Sequence, residues 1–61
     1  MTRVQVLAAL EQDAVARRLL AAHGDAFNAF CACMEPFTYG VEETESAWHF
    51  FLQGWLAFND S

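Results

Sequence analysis

Apolar positions recur at helical spacing along nearly the whole chain, and no stretch alternates as a strand does. Thr2-Arg-Val-Gln5 matches a capping box, with Met1 and Val6 placed to staple the helix start. The alanine-rich sequence that follows predicts one helix over about 2–23, with Gly24 as its terminator. At ~100° per residue, Val4, Leu7, Leu10, Ala14, Val15 and Ala22 share a broad face. Asp25 can cap a second helix over 25–35, where Phe27, Phe30, Cys31 and Met34 follow the spacing of one buried stripe. A continuous helix through Gly24, at a cost of roughly 1 kcal/mol, is the alternative. Pro36 ends the second helix, and Phe37-Thr-Tyr-Gly40 reads as a turn with Gly40 free to take a positive φ.

A third helix is predicted over 42–59. Glu42, Glu43 and Glu45 open it, where the helix dipole favours negative charge. Trp48, Phe51, Leu52, Trp55 and Phe58 form a stripe, while Ala47, Phe50, Gly54 and Ala57 lie toward other faces. A helix apolar on several sides is expected to be buried on several sides. Gly54, poor on helix propensity, suggests close contact with another backbone. The fold expected is all-α, a small helical hairpin or three-helix domain packed as a homodimer.

Length is the reason a dimer is expected. Sixty-one residues make a single domain, and chains this short bury only about 60% of their unfolded surface. Disulfides, a metal or a second subunit usually make up the deficit. Two cysteines cannot form a dense disulfide framework, and an apolar content of 56% argues against disorder. Glu11 and Arg18 fall in the middle of the first apolar face, two turns apart. If two copies of that helix packed antiparallel about a dyad between Ala14 and Val15, Glu11 would face Arg18 of the second copy, twice. The expected dimer interface is therefore Leu7, Glu11, Ala14, Val15 and Arg18, joined by Phe51 and Trp55 of the aromatic helix. The alternative is that Glu11 and Arg18 snorkel at the edge of an intramolecular core.

Charge and aromatic residues are segregated. All nine aromatics lie between Phe27 and Phe58, and all three basic residues, Arg3, Arg17 and Arg18, precede Leu19. From Asp25 onward come Asp25, Glu35, Glu42, Glu43, Glu45 and Asp60 with no basic residue, in a chain of net charge −5. Three arginines are too few for a phosphate-binding surface, so nucleic acid is not the expected ligand. An acidic face instead attracts a basic protein surface and speeds its association. Phe37 and Tyr39 in the turn, Glu42, Glu43 and Glu45 beside it, and Trp48 are the candidate partner-binding residues. Core burial competes with that role for Trp48.

Chemistry is sparse. Cys31-Ala-Cys33 with His23 and His49 could supply zinc ligands, but residues two apart on a helix point in different directions. Cys31 as a small core residue is the better reading. No local arrangement offers a nucleophile with its base, paired catalytic carboxylates or a phosphate loop, so no enzymatic activity and no cofactor or metal are expected. The apolar run Ser46–Phe58 has thirteen residues, short of the ~20 that span a bilayer. The apolar run 4–10 is closed by Glu11-Gln-Asp13, too early for a signal-peptide core. A cytoplasmic protein without membrane contact is expected.

Cys33-Met-Glu-Pro-Phe37 and Phe51-Leu-Gln-Gly-Trp55 resemble ribosome modulation factor and its small relatives, many from phages and prophages. Small residues in a helix, a Pro-aromatic pair and an aromatic-x-x-Gly-Trp signature mark that family. Ala26 and Ala29, Pro36-Phe37, and Phe51, Gly54 and Trp55 occupy those places, over roughly residues 22–58. The resemblance implies a ribosome-associated, hibernation-type factor. Those factors are basic and bind ribosomal RNA, whereas an acidic chain with this signature suits a protein partner. In size and charge the chain also resembles small acidic phage-encoded inhibitors of bacterial machinery. The first expectation is thus a non-enzymatic acidic regulator that binds and modulates or inhibits a bacterial host protein. The ribosome factor is the alternative.

Overall fold

Residues 1–60 are described in a computed structural model, which contains four helices among them and no strand. They are α1 (Arg3–Leu10), α2 (Ala14–Ala22), α3 (Gly24–Met34) and α4 (Val41–Asp60). The all-α class is as the sequence predicts. The single first helix is not, because it is broken at Glu11-Gln-Asp13.

Each end of α1 has a local cause. Thr2 Oγ1 accepts from Gln5 N at 3.2 Å while Gln5 Oε1 accepts from Thr2 N at 2.8 Å, so the predicted capping box is formed. Beyond Leu10 the chain turns once and restarts where Asp13 caps α2. Helical periodicity cannot carry one face across that break. Val6, Ala9 and Leu10 are buried, but Val4 is 74% exposed and Val15 53% exposed, with Ala14 and Ala22 also at the surface. The antiparallel pairing of Glu11 with Arg18 required one straight helix. Glu11 instead sits in the turn and Arg18 on α2, both exposed.

The next break falls one residue earlier than expected. His23, at φ −130° and ψ 63°, leaves helical geometry between α2 and α3, and Gly24 already belongs to α3. No glycine in the described residues has a positive φ, so neither Gly24 nor Gly40 plays the left-handed role anticipated for it. Asp25 lies in the first turn of α3 and does not cap it.

The core forms where the second predicted stripe meets the aromatic helix. Phe27, Phe30, Cys31 and Met34 are buried as predicted, together with Ala26. From α4 come Thr44, Trp48 and Leu52, each four residues after the last. Leu10 and Val6 of α1 and Ala16 of α2 close the cluster. Trp48 is fully buried, edge-on to Phe27 at 6.3 Å and tilted against Phe30 at 5.3 Å between centroids. α4 packs against all three other helices. Its 20 residues, ~30 Å at 1.5 Å each, run close to the full 32 Å length of the molecule.

Candidate functional site

The connection between α3 and α4 shapes the surface around it. Phe37 N donates to Met34 O at 3.1 Å, and the Met1 amino group donates to Met34 O at 2.9 Å, to Glu35 O at 3.1 Å and to Phe37 O. A positive group thus meets the carbonyl end of α3, where the dipole is negative. On the far side, Gly40 N donates to Glu43 Oε1 at 3.3 Å and the Thr44 hydroxyl donates to Gly40 O at 2.7 Å. Held at both ends, the short loop presents Phe37 and Tyr39 as a parallel stack, 5.4 Å between centroids and 7° between planes. Both rings are partly exposed.

Beside the stack runs an apolar groove of about 470 Å³. α3 contributes Phe30, Cys33 and Met34 to it, and the loop contributes Phe37 and Tyr39. The α4 wall is Ala47, Phe50, Phe51, Gly54 and Trp55. Phe51 is tilted against Phe30 at 5.4 Å and stacked near Trp55 at 6.0 Å. No charged side chain of the described residues lines the groove. Charge lies on its shoulder, where Tyr39, Glu42, Glu43, Ser46 and Ala47 line a second, shallow depression.

Phe37, Tyr39, Glu42 and Glu43 are therefore brought together, as the sequence suggested. Glu45 lies off that shoulder and is half-buried, and Trp48 is withdrawn into the core. Trp48 cannot act as a surface contact and is corrected to a core residue. The proposed interface set is likewise divided. Phe51 and Trp55 line the groove, whereas Leu7 is half-buried elsewhere and Glu11, Ala14, Val15 and Arg18 are exposed on the turn and α2.

Sequence reasoning missed Phe50, Cys33 and Gly54 as groove residues. The position of Phe50, a large apolar residue outside the main stripe of its helix, was the available signal, and the structure leaves it 79% exposed. For Gly54 the anticipated close backbone contact is not found, since a Cβ built there meets no atom within 4 Å. Cys31 is buried and Cys33 exposed, as their opposed helical positions require. Burial raises the Cys31 thiol pKa from 9.0, partly countered by the Arg3 charge. Arg3 itself lies over the Phe27 ring at 4.9 Å, a cation–π contact. Among the described residues no group of three or more His, Cys, Asp or Glu is placed to hold a metal ion. No helix among them is long and apolar enough to cross a membrane.

The chain matches no protein-family model, no curated protein and no solved structure.

Proposed function

We propose that this chain is a non-enzymatic binding protein that docks on a basic surface of a second protein and modulates it, as a small phage-encoded regulator of a bacterial host would. The exposed Phe37–Tyr39 stack beside Glu42 and Glu43 carries this reading. Two rings fixed against each other lose little freedom on binding, which favours affinity. The neighbouring carboxylates have no basic residue after Arg18 in sequence, and their field steers a positively charged partner.

The test is affinity capture from bacterial lysate at low and moderate salt, comparing the parent with Tyr39→Ser and with the double variant Glu42→Gln, Glu43→Gln. A basic protein enriched by the parent and lost in both variants supports the reading. Equal recovery by all three contradicts it. A ribosome-associated role is a second reading, favoured by one observation. Phe37, Phe51, Gly54 and Trp55, which carry the resemblance to ribosome modulation factor, all line the same groove. Small-subunit ribosomal proteins captured with ribosomal RNA, and retained at moderate salt, would select it.

A further inference from the structure

The two most exposed large apolar side chains of the molecule lie outside the proposed partner site. Phe50 is 79% and Phe58 81% exposed. They stand four residues before and four residues after Gly54, so the three positions form one i±4 ridge along α4. Packing within the chain does not account for the glycine, because a Cβ at Gly54 meets no atom within 4 Å. A glycine inside a helix costs roughly 1 kcal/mol relative to alanine. A small residue between two large ones on an exposed ridge suits a second backbone crossing there.

Charge narrows what that second backbone can be. α4 carries no Asp, Glu, Lys or Arg between Glu45 and Asp60, while its first turns carry Glu42, Glu43 and Glu45. Two copies of a chain of net charge −5 repel each other over most of their surfaces. Along the uncharged part of α4 they do not. A parallel pair would set each glutamate beside its own copy. An antiparallel pair crossing at Gly54 sets the two Glu43 residues ~33 Å apart along the axis, several times the ~8 Å screening length. Asp60 lies about 120° around the helix from Gly54, away from the ridge.

We propose that two copies of this chain dimerise through α4, antiparallel, with the two-fold axis at Gly54. Phe50 then faces Phe58 of the second copy, and the symmetry forms that pair twice. Phe58 of each copy covers the groove of the other beside Phe50, closing over the half-buried Phe51 and Trp55. Glu42 and Glu43, which do not line the groove, stay outside the contact, once at each end of the dimer, while Phe37 and Tyr39 lie at the groove's loop side. The two readings share the groove edge but are tested at different residues, the dimer at Gly54 and Phe58 and the partner site at Tyr39, Glu42 and Glu43, so the failure of one is distinguishable from the failure of the other.

Sedimentation equilibrium through the micromolar range tests the proposal on the parent, Gly54→Leu and Phe58→Ser, with circular dichroism as the check on folding. The parent is expected to be dimeric. Gly54→Leu, whose Cβ meets no atom within 4 Å in one copy, should keep its helicity and become monomeric. Phe58→Ser should weaken the dimer on the order of tenfold or more through lost apolar burial, and it decides the matter if Gly54→Leu loses helicity. A parent that stays monomeric overturns the proposal, as do variants that dimerise like the parent. Cross-linking in a Cys33→Ser background fixes the orientation. Phe50→Cys mixed with Phe58→Cys should form a disulfide, and Phe50→Cys alone should not; self-linking of Phe50→Cys would overturn the antiparallel arrangement. Neutralising Glu42 and Glu43 should leave the dimer in place.

Discussion

Asp13 Oδ2 accepts the amide hydrogen of Ala16 at 2.8 Å, and this contact starts a new helix in a sequence whose alanine content favours continuing the old one. Asp13 occupies extended backbone at φ −115° and ψ 127°, the usual conformation of an N-cap. The turn before it is closed by Gln12 N to Ala9 O and Asp13 N to Leu10 O. In the restarted helix Ala16 is the residue of α2 that is buried in the core. Asp13→Ala should cost about 1 kcal/mol in urea unfolding, and Asp13→Asn, which keeps the acceptor, much less. Equal losses in the two variants would mean that the cap is not what holds the break.

The same contact explains what could be read in advance. The α3 stripe of Phe27, Phe30, Cys31 and Met34 and the start of α1 were legible because spacing and capping boxes are local. The break was not, because Asp13 among helix formers looks equally like a solvated position on one helix. Trp48 shows the other limit. The spacing of Trp48, Phe51, Leu52, Trp55 and Phe58 is one stripe, yet exposure along it runs from 0% at Trp48 to 81% at Phe58. Which end is covered depends on where α1 and α3 lie against α4, a long-range fact that periodicity does not contain.

Trp48 and Trp55 should therefore differ in fluorescence. In Trp55→Phe, the remaining Trp48 is buried and its emission should be blue-shifted and resistant to iodide. Quenching comparable to that of an exposed indole would contradict its placement. Its Nε1 is buried with no hydrogen-bond partner among the described residues, a cost of about 1–3 kcal/mol. Trp48→Phe removes that orphan while keeping an aromatic ring, so it should destabilise far less than Trp48→Ala, for which about 3–5 kcal/mol is expected.

The Met1 amino group should matter to the loop that carries Phe37 and Tyr39. It donates to the carbonyls of Met34, Glu35 and Phe37. Acetylation removes its charge and leaves one N–H for three acceptors. The expected loss is about 0.5–1 kcal/mol, from the charge at the end of α3 and the lost hydrogen bonds. Chemical denaturation of the acetylated and free chains measures it, and proteolysis between Pro36 and Gly40 should quicken in the acetylated form. Equal stability and equal cleavage would show that the amino group does not hold the loop.

The two cysteines, two residues apart, should respond differently to a thiol reagent and to pH. Cys33 is exposed on the groove wall and should react at once with a disulfide reagent under native conditions. Cys31 is buried against Phe30 and the rest of the core and should react only as fast as the chain opens. Burial raises the Cys31 thiol above its ordinary 9.0, with Arg3 opposing. In the unfolded chain this thiol loses its proton near 9.0, while in the fold it keeps the proton to higher pH. The unfolded state then binds fewer protons than the folded state, so stability falls as pH rises through that window. Below it the thiol is protonated in both states and contributes no slope. Cys31→Ala should lower stability at neutral pH through lost packing but flatten the alkaline decline. A decline of unchanged steepness in Cys31→Ala would assign it to another group.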